Sequence, residues 1–289
     1  MFVDASGKSH KLVVRTLLTS EVTGQLWNTC AWDLHSGTTL VTYKGGSCAP
    51  HTLCTVSGRV VVGAVANKPL IHAWPIHKDQ MMTKMVCTGV VTAMCVSPSG
   101  HYCAAAIQDK LHIWQMSTGD LLAVLTRHYQ NINCVRFTDD GSHLVSGADD
   151  SLVLVWALAR VVSEDNQGSA TGVKPRHVWT DHSLPVTDVC VGRGGVSSWV
   201  VTASRDMTCI LWELASGMRL CKFVFNSAVT SVVMDTCNYR MFAGLTSGNI
   251  IQVNLFDKPT EDKQLVLADK SSTEENIFKG HRSVAGFIV

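Results

Sequence analysis

Three kinds of residue in this sequence have the type and spacing to do chemistry: histidines matched to an acid and a hydroxyl, cysteines, and a glycine-rich turn. His128, Ser146 and Asp150 form one set, and His182, Thr202 and Asp206 a second; a tryptophan, Trp156 or Trp212, stands six residues after the acid in each. A histidine with a carboxylate and a hydroxyl is the equipment of a hydrolase, in which the ring takes the hydroxyl proton and the acid steadies the ring. Here no nucleophile elbow surrounds Ser146 or Thr202, and the set recurs. Recurrence marks a structural unit, so the hydrogen-bonding reading is favoured over catalysis.

The other candidates are weaker. Eleven cysteines stand singly between Cys30 and Cys237 with no CxxC or CxC pair, a spacing that suggests no zinc knuckle. Their odd number and apolar neighbours favour reduced, buried thiols of the cytosol or nucleus. Gly192-Arg193-Gly194-Gly195 opens like a phosphate loop, but Ser197 takes the last glycine position of GxGxxG and no P-loop lysine follows. A β-turn is expected there. His72 and His77 flank Trp74 and Pro75 without a matching set of metal ligands and read as turn histidines. Gly168 to Gly172 places its serine one position too early for GxSxG and reads as loop. Met81, Met82 and Met85 are expected to fill gaps beside a sheet edge rather than to form an adaptable surface. No catalytic residue, metal, cofactor or small-molecule substrate is expected.

The elements that must position these residues repeat. Tryptophan recurs after apolar or β-branched residues at Trp32, Trp74, Trp114, Trp156 and Trp212, at intervals of 42, 40, 42 and 56, and Val253 takes the same slot 41 residues further on. The long interval holds 163–181, rich in Ser, Gly, Asp and Asn with Pro175, which reads as an inserted surface loop. A period of 40 to 42 is that of WD repeats, and longer than that of ankyrin or tetratricopeptide units. Each unit runs apolar strand, polar Gly turn, small-residue strand, and a strand ending at Trp. Ser36-Gly37, Thr118-Gly119 and Ser216-Gly217 then turn the chain into an outermost strand. No stretch of ten residues carries a helical stripe. The fold class expected is all-β: a WD-repeat β-propeller with six recognisable blades over 1–279. The slot six residues before the Trp position holds Lys68 in the second repeat, Gln108 or the adjacent Asp109 in the third, and Ser247 in the sixth. Trp32-Asp33 is the only literal Trp-Asp pair.

Composition agrees. The chain has 289 residues, 46% of them apolar, enough for a large core. Its 24 basic and 23 acidic residues give no overall pull toward nucleic acid or anionic lipid. Met1-Phe2-Val3-Asp4 does not open a secretory signal, and the longest apolar run, Val60 to Ala66, is strand-sized rather than membrane-spanning.

Beyond the repeat, particular wording resembles one family. Ala31 to Gly46 (AWDLHSGTTLVTYKGG), Leu111 to Trp156 with its RHYQNINCVRF core, Pro175 to Asp188 (PRHVWTDHSLPVTD), Leu211 to Gly217, Gln252 to Phe256 and Phe278 to Arg282 follow in order over about 250 residues. They are similar to the WD-repeat-containing protein eighteen family, propeller subunits of a complex that matures the large ribosomal subunit. The resemblance implies a non-catalytic scaffold of nucleolus and nucleoplasm, with a cytoplasmic pool, acting in rRNA processing. It implies partners in a proline-, glutamate- and leucine-rich protein and testis-expressed protein ten, with the pre-ribosomal particle contacted indirectly and no membrane involved. For the two full sets it implies a chain of hydrogen bonds from Asp to His to hydroxyl to indole. The alternative is a WD-repeat adaptor of another complex, such as a ubiquitin ligase, a transport or ciliary assembly, or replication licensing. The ligase reading is weak, because Leu34-His35 and not a spaced basic residue follows Trp32-Asp33. Phe278-Lys279-Gly280-His281-Arg282 resembles the start of a seventh repeat, whereas Ser283 to Val289 matches nothing in the family. An aborted seventh repeat over 280–289, an open ring with an exposed apolar edge, and a spliced or incomplete product are therefore expected.

Overall fold

The computed structural model describes residues 2–3, 9–10, 16–20, 29–56, 58–163, 173–255, 265–266 and 277–279. Short antiparallel strands pair into six sheets of three to five strands, beside a two-stranded pairing of Phe2–Val3 with Ser9–His10. The first is Thr16–Ser20, Thr29–Asp33 and Thr39–Tyr43. The second is Cys48–Val56, Val60–Val65, Leu70–Pro75 and Thr83–Val86, and the third Val91–Val96, Tyr102–Ile107, Lys110–Gln115 and Leu121–Leu125. Ile132–Phe137, His143–Ala148, Val153–Ala157 and His177–Trp179 make the fourth. The fifth is Val186–Val191, Trp199–Ser204, Thr208–Glu213 and Arg219–Val224, and the sixth Val229–Met234, Arg240–Leu245, Asn249–Asn254 and Ile277–Lys279. Leu265–Val266 adds to the outer edge of the fifth in parallel. A five-residue helix, Leu158–Val162, leads into the long insertion; 164–172 of that insertion and 280–289 lie outside the described residues.

The core is not one mass but a series of layers. Each apolar cluster joins two consecutive sheets: Tyr43 and Leu18 with Trp74 and Val61; Ile71 and Val62 with Met94 and Trp114; Leu111 and Ile113 with Leu144 and Trp156; Val145 and Trp179 with Ile210 and Trp212; Leu211 and Phe223 with Met241 and Val253. Strand periodicity explains this, since successive side chains leave a strand on opposite faces. Val200 therefore packs back on the fourth sheet while its neighbour Val201 packs forward on the sixth. Trp74, Trp114, Trp156 and Trp212, with Val253 in the same slot, all face the preceding sheet. This is a six-bladed β-propeller.

Inner strands meet closely around the axis, and small residues allow it. A Cβ on Gly147 would come within 2.6 Å of Val186 and 2.8 Å of Cys134, so the fourth and fifth blades pack together only with glycine there. Hydroxyl and amide side chains then tie the inner strands of the third to sixth blades one to the next. Thr92 donates to the Ile132 carbonyl at 2.6 Å, Asn133 to that of Val186 at 2.9 Å, and Thr187 to that of Val229 at 2.8 Å. The acceptors sit at β-bulges that open each inner strand and free a carbonyl from its own sheet.

Interior and terminal blades differ in cover. Val61–Val65, Cys103–Ile107 and Val200–Ser204 are buried at every residue, as sheets covered on both faces must be. In the first blade Leu18 is buried beside exposed Leu17, and in the sixth Met241 and Ala243 are buried while Phe242 between them is only half-buried. Among the described residues, no apolar cluster joins the sixth blade to the first.

Candidate functional site

The two histidine sets are each assembled from four strands and loops of one blade. In the fourth blade, His128 Nδ1 donates to the Asp150 carboxylate at 3.0 Å, and His128 Nε2 lies 2.9 Å from Ser146 Oγ. Trp156 Nε1 donates to that same Oγ at 3.1 Å. In the fifth, the corresponding distances are 3.0 Å from His182 to Asp206, 2.8 Å from His182 to Thr202, and 3.0 Å from Trp212 to Thr202. A carboxylate only accepts, so Nδ1 carries the proton in the bond to Asp; the hydroxyl, accepting from the indole, gives its own proton to Nε2.

Burial decides what such a set can do. Ser146 and Thr202 have 0% exposure and the two histidines 5% and 6%. A nucleophile must meet its substrate, and these hydroxyls meet the indole, the imidazole and, for Thr202, the Ile210 carbonyl at 3.4 Å, all inside the blade. The acids instead reach outward: Asp150 accepts from the Tyr129 and Leu152 amides at 2.9 and 3.0 Å, and Asp206 from the Ser183 and Thr208 amides at 3.1 and 3.0 Å. Burial raises both carboxyls, but these bonds and the histidines outweigh it and hold Asp150 below, and Asp206 well below, the ordinary carboxylate range.

The consequence is a fixed loop face. The amides gripped by the acids belong to loops that present Tyr129, 84% exposed, on the fourth blade and Leu184 and Met207 on the fifth, while Val90 stands exposed in the equivalent loop of the third blade. Large exposed apolar groups held on a rigid frame are what a protein-binding surface requires.

The degenerate repeats use substitutes. Trp32 donates to Thr19 at 2.7 Å, a hydroxyl thirteen residues before it rather than ten. Trp74 donates to the Lys44 carbonyl at 3.3 Å, and His112 stacks on Trp114 with ring centroids 5.4 Å apart. Gln108 and Asp109 form a two-residue hairpin closed by Ile107 and Lys110, while Lys68 stays exposed beside left-handed Asn67. Asp33 accepts from the His35 amide and so shapes its own turn. Trp179, within PRHVW, stacks on Trp212 with centroids 4.5 Å apart and planes 5° from parallel.

The remaining motifs fall into place. Gly194 and Gly195 do point their amides at an anion, but it is the Asp139 carboxylate of the neighbouring blade, at 3.1 and 2.7 Å. Among the described residues, no group of three His, Cys, Asp or Glu could hold a metal. Burial pushes the Cys48, Cys87 and Cys190 thiols up to about 11, the wrong direction for a reactive cysteine. The methionines differ from the expectation. Met85 is half-buried against the second and third blades, but Met81 and Met82 are 43% and 59% exposed because they sit on a turn outside the sheet. Sequence reading also missed Arg136 and Asp188 near the axis. Asp188, 2% exposed, accepts from the Val189 and Val232 amides, and its oxygen lies 3.7 Å from His51 of the second blade.

Blades of this register, with the Trp slot facing backward and the buried Asp-His-hydroxyl-indole chain, define a WD-repeat propeller. The family WD domain, G-beta repeat, matches residues 119–157 and 173–213, the two blades with complete sets. The chain is similar to proteins named WD repeat-containing protein 18. It is similar to that protein from Danio rerio, 39% identical over 272 residues, covering 94% of this chain and 62% of the relative. The Homo sapiens protein is 40% identical over 259 residues, 89% of this chain and 59% of the relative. The pre-rRNA-processing protein pro-1 of Caenorhabditis elegans is 29% identical over 287 residues, covering 96% and 54%. The chain spans about three fifths of the length of the WD repeat-containing protein 18 relatives it matches.

Proposed function

We propose that this chain is a non-catalytic scaffold in the processing of ribosomal RNA precursors and the maturation of the large ribosomal subunit, working in the nucleus and nucleolus. The observation that carries the reading is its similarity, over nine tenths of its length, both to WD repeat-containing protein 18 and to relatives named as pre-rRNA-processing proteins. The chemistry supports it: the hydrolase-like sets are sealed from solvent, and the exposed apolar groups stand on loops pinned by those sets. A rigid frame presenting loops suits protein binding, though the fold alone names no partner. On this reading the partners are protein subunits of a pre-ribosome maturation complex, a proline-, glutamate- and leucine-rich protein and testis-expressed protein ten among them, and the RNA is reached through them.

Depletion followed by re-expression tests the reading. Loss of the endogenous protein is expected to build up large-subunit rRNA precursors, and a tagged copy is expected to sediment with pre-ribosomal particles and bring down those two proteins. Unchanged precursors, together with capture of ubiquitin-ligase, transport or replication factors in place of ribosome-assembly proteins, would reject it.

A further inference from the structure

Outside the loop face, the structure carries a second preformed surface on the rim of the first blade. Thr39–Tyr43 is the outer strand of a three-stranded sheet and has no strand beside it among the described residues. Alternate residues of such an edge turn N–H and C=O groups away from the sheet, a template for another extended chain. Along this edge lies a groove of about 670 Å³, lined on one side by Leu40, Val41 and Thr42 and on the other by Lys78, Asp79 and Gln80 of the second blade.

The far wall of the groove is fixed, not loose. The Tyr43 hydroxyl donates to the Ile76 carbonyl at 2.8 Å, the Lys44 amide to the Asp79 carbonyl at 3.2 Å, and Lys44 Nζ pairs with the Asp79 carboxylate at 2.8 Å. Three tethers set the gap in advance, which lowers the ordering cost of anything that enters it. They also set its charge. Asp79 is satisfied by Lys44, whereas Lys78 is exposed and has no acidic partner among the described residues. Leu40, 54% exposed, supplies apolar surface on the strand side. The molecule already uses strand addition at an equivalent place, where Leu265–Val266 lies in parallel against Phe223 and Val224 on the outer edge of the fifth blade.

We propose that the groove between Thr39–Tyr43 and the 76–80 turn is a docking site for an extended acidic segment of a partner protein. The segment adds as a further strand outside Thr39–Tyr43, sets an apolar or β-branched side chain on Leu40, and places a carboxylate beside Lys78. Main-chain bonds supply affinity in such an addition, and the alternating side chains supply the choice of sequence.

A displayed library of random decapeptides, selected on the whole chain, tests this. Enrichment of acidic sequences with alternating β-branched residues is expected. The strongest of them should slow amide hydrogen exchange over 39–44 and 76–80 and leave the outer strands of the third and fourth blades unchanged. K78E is expected to weaken that peptide roughly two- to fivefold and to strengthen its Glu-to-Lys counterpart, as an exposed charge pair allows. K110E, at an exposed lysine on another blade, should change neither, and equal melting curves establish that both variants fold. Selection of neutral or basic peptides, protection elsewhere on the molecule, or indifference to K78E would overturn the proposal.

Discussion

Thr202 is the residue on which the fifth blade's network turns, since one hydroxyl serves both the indole of Trp212 and the ring of His182. T202V keeps the shape and removes both bonds. A loss of about 2 to 3 kcal/mol is expected by urea denaturation, because a buried indole N–H and a buried ring nitrogen are left without partners. A double cycle with W212F should show strong non-additivity, whereas a catalytic role would lower an activity and leave stability alone. The charges predict how stability follows pH. Asp150 and Asp206 are held below the ordinary carboxylate range, so the stability they add is full above about pH 4 and is lost as pH falls from there. Burial also pushes His72, His112, His143 and His177 down. The unfolded chain then binds protons that the folded one refuses, and stability falls as pH drops below about 6.5. The urea midpoint should therefore decline in two stages, one below pH 6.5 and one below pH 4, with D206N flattening the second. A midpoint constant from pH 7 to 5 would contradict these assignments.

The element that organises the blade is the third strand with its tryptophan, and the cost of removing that ring depends on which sheet it faces. Trp74, Trp114, Trp156 and Trp212 fill the gap to the preceding blade and are 0 to 6% exposed, whereas Trp32 is half-buried. Truncation to alanine is expected to cost about 3 to 5 kcal/mol at the four buried positions, and clearly less at Trp32, in denaturation midpoints. Equal costs at all five would mean that the face of Trp32 is covered too. This pattern also marks the limit of what the chain's letters reveal. The Trp period, the Asp-Gly and Ser-Gly turns and the two complete sets are local, and each stands in plain view in the sequence. Val253 was legible as a substitute because it kept the spacing. Thr19 was not, because it stands thirteen residues before its tryptophan and not ten. Asp139 was hidden for a different reason: its partners, Gly194 and Gly195, lie 55 and 56 residues away on the next blade, and no local pattern announces a contact between turns. Arg136 and Asp188 near the axis are likewise products of the ring. The exposure of Met81 and Met82 depends on a turn that only the folded second blade places outside the sheet.

At the scale of the whole molecule the described residues of the blades form a line of neighbours, in which each core layer belongs to two sheets and is lost if either one leaves. Stability in such an array is a sum over units and the interfaces between them. The second to fifth blades each share two layers, while the described residues of the first and sixth share one. The His51 contact to Asp188 and the chain of Thr and Asn side chains around the axis tie inner strands together, so the inner strands should open last. A frame of this kind holds its central blades rigid and leaves its loops and outer edges exposed. Native-state hydrogen exchange read by mass spectrometry tests the arrangement most directly. The account predicts the slowest amides in the inner and middle strands of the second to fifth blades, with faster exchange in Thr16–Ser20 of the first and Arg240–Leu245 of the sixth. Protection as high in those two strands as in His143–Ala148 and Trp199–Ser204, or a pattern that ignores blade boundaries, would contradict it.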